Sequence, residues 1–135
     1  MNEPRLNFVP CPDADGGHRM AYWEWGDPAN PHVVVCCHGL SRQGRDFDGL
    51  AKALYNRVRV VCPDVVGRGK SDWLKNPAGY QIPLYASDML ALLAQLRPAA
   101  LDWVGTSMGG LIGMVLAGQP DLPLPTPVRR LVLND

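Results

Sequence analysis

The sequence has 135 residues, the length of one domain, and 47% of them are hydrophobic and 19% charged, which fits a globular protein and excludes a disordered chain. Thirteen basic residues balance thirteen acidic ones, so no net charge draws the chain to nucleic acid or to an anionic membrane. The sequence shows neither an internal repeat nor a sign of a second domain.

The first elements of the chain are predicted to be strands. Residues 5–11 and 18–25 form two of them, joined by PDADGG, a segment rich in turn residues. The second strand is rich in aromatic residues and partly alternating, as is typical of a sheet edge. Next comes HVVVC, residues 32–36, a continuous apolar run that is typical of a strand buried on both faces.

Helices and strands alternate along the rest of the chain. Apolar residues at helical spacing predict the helices, and short apolar runs predict the strands. The predicted elements are, in order, a helix over 44–55, a strand over 58–62, a helix over 83–96, a strand over 101–105, a helix over 108–118 and a strand over 129–135. This alternation predicts an α/β fold with a mainly parallel sheet flanked by helices.

Several features of the sequence point to a cytoplasmic protein. No apolar run reaches the roughly 18 residues of a membrane-spanning helix, and the N-terminus lacks the basic and apolar regions of a signal peptide. The four cysteines form no C-x-x-C pair, and those in apolar runs behave as small hydrophobic residues, which fits a reducing compartment. A metal site at Cys36, Cys37 and His38 has no supporting ligand spacing, so we expect neither a metal nor a cofactor.

Small or polar groups follow the predicted buried strands at the point where each strand ends. In open α/β sheets, ligands bind at the carboxyl ends of the strands. We therefore expect these groups to gather along one edge of the sheet: Cys37-His38-Gly39, Pro63-Asp64, Gly105-Thr106-Ser107 and Asn134-Asp135.

Ser107 follows a predicted strand and precedes a predicted helix, between two glycines in the pattern G-x-S-x-G. A sharp strand-to-helix turn lifts the serine above the sheet, and glycines two residues before and after it relieve the crowding of the backbone. Free N–H groups at the helix start point to where an oxyanion forms, and Met108 supplies the first of them. Gly39 lets an earlier loop turn so that the N–H of Leu40 is the second donor. The competing interpretation is a glycine-rich helix start with a capping serine.

Two neighbouring motifs are predicted to shape the loops around this serine. His38 directly follows a strand, so a hydrogen bond that stabilises the loop fits it better than the role of general base. DVVGRGKS, residues 64–71, ends like a phosphate-binding loop, but Asp64 stands where that motif needs glycine. Nucleotide binding is therefore excluded, and we expect Asp64 to build a hydrogen-bonded turn under the rim of the site.

Three motifs occur in order, H-G-L at 38–40, D-x-x-G-R-G-x-S at 64–71 and G-T-S-M-G-G at 105–110. They resemble the α/β-hydrolase fold superfamily, and more narrowly its single-domain esterase and lactonase-like members. The resemblance implies a serine hydrolase that cleaves small-molecule carboxylic esters, thioesters or lactones through an acyl-enzyme, without a cofactor. It implies the nucleophile and the two oxyanion-hole amides at matching positions: Ser107, Leu40 and Met108.

The chain departs from the pattern of this family after Ser107. In the family an acid and then a histidine follow the serine, whereas all three histidines precede it here. His18 and His32 begin strands and are expected at the edge opposite to the serine. Asp135 ends a strand at the correct edge and is a candidate acid, with a structural role at the strand end as the competing interpretation.

We therefore expect residues 1–135 to be the N-terminal part of a single α/β-hydrolase domain, truncated on its C-terminal side and lacking the general base. The last strand would then be an exposed sheet edge through which the chain could self-associate. The alternative is a catalytically inactive scaffold or binding module of the same fold.

Overall fold

The computed structural model describes residues 3–134, which form one six-stranded sheet with α-helices packed on it. Helices follow strands from the third strand onward, in the order that the apolar patterns predict. The strands are β1 (Arg5–Cys11), β2 (His18–Trp25), β3 (His32–Cys37), β4 (Arg59–Pro63), β5 (Ala100–Thr106) and β6 (Val128–Asn134), and the helices are α1 (Asp48–Leu54), α2 (Ile82–Leu96) and α3 (Met108–Gly118).

The strands lie in the order β1-β2-β4-β3-β5-β6. The last four of these are parallel to one another, and β2 runs antiparallel to both β1 and β4. The prediction of a mainly parallel α/β sheet is confirmed, but the interpretation of residues 18–25 as an edge strand is wrong. The hairpin places β1 on the outside instead, so β2 has a neighbour on each side and its aromatic residues Tyr22 and Trp25 are buried.

Alternate residues of the central strands face two different layers of helices. On β3, Val33 and Val35 belong to a core with residues of α2 and α3. Val34 and Cys36 belong to a second core with Ala51 of α1. A short continuous apolar run therefore serves two cores, because side chains along a strand point alternately to opposite faces.

The helix predicted over 44–55 is divided in two. A 3₁₀ turn covers Gly44–Phe47, and α1 begins only at Asp48. Gly44 donates its N–H to Asp64 Oδ1 at 2.7 Å, and a Cβ at Gly44 would lie 2.5 Å from the carbonyl oxygen of Cys62. This attachment to the end of β4 fixes the first turn separately from the helix that follows.

The two longer helices pack against each other, with α2 on β1 and α3 on β5 and β6. α2 ends where Arg97 takes a left-handed φ of 52° and Pro98 follows. α3 begins directly after Ser107, so its N-terminus lies at the carboxyl edge of the sheet. Within residues 3–134, none of the helices is long and apolar enough to cross a membrane.

Candidate active site

Ser107 lies on the turn between β5 and α3 with φ 52° and ψ −113°. Among the described residues other than glycine, only Arg97 shares a positive φ, a conformation that costs about 1–3 kcal/mol and persists where the surroundings enforce it. The Ser107 N–H donates to the carbonyl of Asn134 at 2.9 Å, and the Ser107 carbonyl accepts from the N–H groups of Gly110 and Leu111. The serine itself is exposed. Ser107 therefore has the backbone geometry and the exposure of a nucleophile elbow.

The two glycines of the motif are required by close backbone packing. A Cβ on Gly105 would lie 2.5 Å from the carbonyl carbon of Gly109, and a Cβ on Gly109 would lie 2.5 Å from the carbonyl carbon of Cys37. Both obstacles are main-chain atoms, which cannot move aside as a flexible side chain can. From the core, Trp103 Nε1 donates to the Gly109 carbonyl at 3.0 Å. The turn therefore packs closely against the end of β3 and is also stabilised by a hydrogen bond from the core.

The loop after β3 runs beside the serine. A Cβ on Gly39 would lie 3.6 Å from the Cβ of Ser107, which puts the backbone that continues to Leu40 next to the elbow. Arg42 donates its N–H to the Gly39 carbonyl at 3.1 Å, and Arg68 Nε donates to the Leu40 carbonyl at 2.8 Å. The sequence patterns assigned no role to Arg68, because its contact is made with the backbone of a distant loop.

Met108 presents its backbone, and not its side chain, beside Ser107. It is the first residue of α3, and N–H groups in the first turn of a helix have no partner within the helix. Its side chain is 6% exposed and belongs to the main core. The structure thus brings the elbow, the first turn of α3 and the Gly39 loop to one place at the carboxyl edge of the sheet.

His38 stabilises its loop, as expected, and is not positioned as a general base. Its Nδ1 donates to the Gly39 carbonyl at 2.7 Å, and its Nε2 accepts the N–H of Val65 at 2.9 Å. These partners require the neutral ring with its proton on Nδ1. Burial lowers the pKa of His38 below its usual value, which favours the same neutral state.

Asp64 forms the hydrogen-bonded turn that the sequence predicts. It is 1% exposed, and its two carboxylate oxygens accept the N–H groups of Gly44 at 2.7 Å and Lys70 at 2.9 Å. The carboxylate therefore joins the segment before α1 to the glycine-rich loop after β4. Both of its carboxylate oxygens are thus engaged by backbone amides.

The other two histidines lie at opposite ends of the strands, one where the parallel strands begin and one where they end. His32, at the start of β3, bonds Asp102 through Nε2 at 2.7 Å, at the edge opposite to Ser107 as expected. The same expectation for His18 is wrong, because β2 runs antiparallel and its start lies at the edge where the parallel strands end. Both ring nitrogens of His18 are nevertheless engaged, Nδ1 with Asp13 at 2.7 Å and Nε2 with Asp88 at 2.8 Å.

Sequence reasoning missed the cluster around His18. Cys11, His18 and Asp88 are all buried, with side-chain ligand atoms within 4.8 Å of one another. Asp88 lies 70 positions from the histidine, so no local spacing connects them. The one feature of the sequence that could have indicated the cluster is Asp88, a carboxylate on the apolar stripe of α2 next to Met89.

Ser107 opens onto a cleft of about 310 Å³ whose lining includes the apolar side chains of Leu111, Met114 and Leu133. Each of these three side chains is at least half exposed, so one wall of the cleft is open. Asp135, the candidate acid, lies outside the described residues.

Comparison with known proteins agrees with this architecture. Residues 32–135 match the family model described as alpha/beta hydrolase fold. The chain is 61% identical over 132 residues to a 3-hydroxybutyrate-oligomer hydrolase of Cupriavidus necator, an alignment that covers 98% of the chain and 44% of that protein. It is 37% identical over 112 residues to an sn-1-specific diacylglycerol lipase of Mus musculus, which covers 82% of the chain and 34% of the lipase.

A solved structure shows the same fold. An alpha/beta hydrolase from Novosphingobium aromaticivorans superposes with a TM-score of 0.84 at 39% identity, covering 100% of the chain and 45% of that protein. The chain thus spans less than half the length of the relatives that it matches. The family match and the shared sheet lead to one conclusion: the chain belongs to the α/β hydrolase fold family.

Proposed function

We propose that Ser107 is the nucleophile of a serine hydrolase that cleaves carboxylic esters, thioesters or lactones. Ser107 Oγ attacks the acyl carbon and gives its proton to a base. The tetrahedral oxyanion then collapses, the bond to the leaving group breaks, and the leaving group takes the proton. Water adds to the acyl-enzyme and releases the acid and the free serine.

The observation that carries this proposal is the backbone of Ser107, a non-glycine residue at φ 52° and ψ −113° with an exposed side chain. A capping serine, the competing interpretation, needs no such strain, and Ser107 makes no side-chain cap of α3. An ordinary helix start would also have no need for backbone packing so tight that glycine is required on both sides of the serine.

The proposed oxyanion hole consists of the N–H groups of Leu40 and Met108. The first is on the loop that passes beside the Ser107 Cβ, and the second is at the N-terminus of α3. Removing one such donor costs roughly 3–4 kcal/mol of transition-state stabilisation in enzymes of this kind. Arg68, which donates to the Leu40 carbonyl, would help to hold the first donor in place.

Among the substrate classes, we propose an ester of a short hydroxy acid. The 61% identical relative is named for the hydrolysis of 3-hydroxybutyrate oligomers, whose units are joined by ester bonds. The apolar lining of the Ser107 cleft by Leu111, Met114 and Leu133 suits an aliphatic acyl chain. This substrate is a proposal for a protein of which the chain would supply the nucleophile and the oxyanion hole.

The base is expected from outside the described residues, because the ring nitrogens of His18 and His38 are engaged by other groups and His32 lies at the opposite end of the strands from Ser107. The same observation favours a second candidate function, that of a catalytically inactive scaffold or binding module.

We also propose that two copies of the chain associate through the β6 edge, since Val132 and Leu133 are 53% and 55% exposed. A concentration-independent monomer in size-exclusion chromatography would contradict self-association at this edge.

All four cysteines are buried and form no disulfide, which supports a cytoplasmic location. Secretion of the protein would contradict this location.

A fluorophosphonate probe, which phosphonylates activated serines, tests the proposed function. With imidazole added in place of the missing base, we expect labelling of the chain at one site, located on Ser107 by mass spectrometry and abolished by Ser107→Ala. Ser41→Ala is the matched control, because Ser41 is also exposed but has no strained backbone, and it should leave the labelling intact. A chain that circular dichroism shows to be folded and that stays unlabelled in the presence of imidazole would instead support the inactive scaffold.

A further inference from the structure

A second group of chemically reactive side chains lies between the β1–β2 hairpin and α2. Cys11 ends β1, His18 begins β2 and Asp88 is on α2, and their exposed fractions are 2%, 7% and 1%. The Cys11 Sγ, a ring nitrogen of His18 and a carboxylate oxygen of Asp88 all lie within 4.8 Å of one another. The proposed hydrolase mechanism uses none of these groups.

Asp88 carries the clearest sign of an unmet partner. Its Oδ2 bonds His18 Nε2 at 2.8 Å, whereas its Oδ1 is buried and has no hydrogen-bond partner in the described part of the chain. A buried carboxylate oxygen without a partner costs free energy. The Cys11 thiol donates to the carbonyl of Val9 at 3.7 Å and also interacts with the Asp88 carboxylate, so the thiol is the side chain closest to serving this oxygen.

Asp13 completes the arrangement from the hairpin turn. Its Oδ2 bonds His18 Nδ1 at 2.7 Å, and its Oδ1 accepts the N–H groups of Asp15 and Gly17. A histidine that binds a metal through one nitrogen almost always donates its other N–H to a carboxylate or carbonyl, which fixes the orientation of the ring. His18 has this second partner already in place.

We propose that Cys11 Sγ, His18 Nε2 and the Asp88 carboxylate bind a Zn²⁺ ion, with Asp13 orienting His18. Thiolate, imidazole and carboxylate together are a donor set for zinc, whereas magnesium and calcium require oxygen ligands. The tetrahedral bond lengths of zinc, about 2.0 Å to nitrogen or oxygen, separate those ligand atoms by about 3.3 Å. His18 and Asp88 would therefore move apart by only about half an ångström from their present hydrogen-bond distance.

A fourth ligand can reach the ion from solvent. Cys11, His18 and Gly17 line an open cleft of about 540 Å³, so the thiol and imidazole side of the proposed site borders solvent. The ion would join the hairpin to a helix residue 70 positions away, and it would therefore stabilise the fold. No substrate is assigned to this site.

Titration of the purified, metal-free chain with Co²⁺ and then with Zn²⁺ tests the proposal. We expect one equivalent of Co²⁺ to give the near-ultraviolet thiolate charge-transfer band and the visible bands of tetrahedral cobalt, and Zn²⁺ to displace it. Zn²⁺ should also raise the melting temperature, because binding to the folded state alone stabilises it. Asp13→Asn should weaken zinc binding by about 10–100-fold.

Matched thiol variants make the outcome decisive. Cys11→Ala should abolish the charge-transfer band, whereas Cys36→Ala should retain it, because Cys36 is equally buried but lies in the core beside α1. Asp88→Asn preserves the shape of the side chain and should also lose tight binding, with folding of each variant checked by circular dichroism. The proposal is overturned if the folded chain takes up no stoichiometric metal, or if Cys11→Ala and Cys36→Ala affect the band equally.

Discussion

The two edges of the sheet differ in how completely they are covered. At the β1 edge, α2 packs on the strand, and Val9 and Cys11 are each 2% exposed. At the β6 edge, Val132 and Leu133 are more than half exposed. The turn at Ser107 lies between the covered strands and the uncovered β6 edge. Gly39, which follows β3, is close to it on one side, and the end of β6 is close to it on the other. The β3 side of the candidate site is therefore closely packed, while its β6 side is open where the proposed base could enter.

Two leucine truncations on neighbouring strands should show the largest contrast, because one is on the covered strand β5 and the other is on the uncovered strand β6. Leu101 of β5 is fully buried, whereas Leu133 of β6 is 55% exposed. Leu101→Ala should lower the free energy of unfolding by about 2–5 kcal/mol, because it leaves a cavity. Leu133→Ala should change it by less than about 0.5 kcal/mol. Urea unfolding measures both, and equal losses would mean that β6 is covered in solution.

Glycine substitutions test whether the built side of the site depends on backbone packing. Gly109→Ala would place a Cβ against the backbone of Cys37 and His38, so we expect a loss of at least about 1–3 kcal/mol of stability and of fluorophosphonate labelling. Gly49→Ala is the matched control, since nothing lies within 4 Å of a Cβ at this position in α1. It should add about 0.5–1 kcal/mol. A labelled Gly109→Ala chain would show that the elbow tolerates a side chain.

The pH dependence of stability distinguishes a loop-forming His38 from a general base. Burial lowers the pKa of His38 in the folded state, so its contribution is fully present above the unfolded pKa of about 6.5 and is lost as pH falls toward the folded value. The loss can reach about 1.4 kcal/mol per pH unit in that window. His38→Gln should remove this part of the slope in urea unfolding. An NMR titration in which His38 protonates above pH 6.5 would contradict the burial.

The sequence predicted the parts of this protein that depend on short-range patterns. Apolar runs located the strands, and the glycines around Ser107 identified the elbow, because each feature is set by neighbours within a few residues. The Asp64 turn and the role of His38 followed from their positions at strand ends.

Features that depend on strand direction and long-range contact were not predictable in this way. The direction of β2 is not encoded in its alternation, so its place inside the sheet and the edge on which His18 lies were misjudged. Asp88 meets the histidine only after α2 packs on β1, and Arg68 reaches Leu40 only after two loops meet. The local helical spacing over 44–55 likewise gave no indication that Asp64 captures the N–H of Gly44.

We propose that Ser107 lies on a formed elbow and that its base comes from outside the described residues. Added imidazole can replace a missing histidine, so the most direct test is the rate of fluorophosphonate labelling, and of hydrolysis of a 3-hydroxybutyrate ester, across a series of imidazole concentrations. We predict that imidazole accelerates both reactions in the chain but not in Ser107→Ala. Equal rates for the two proteins at every imidazole concentration would contradict the claim.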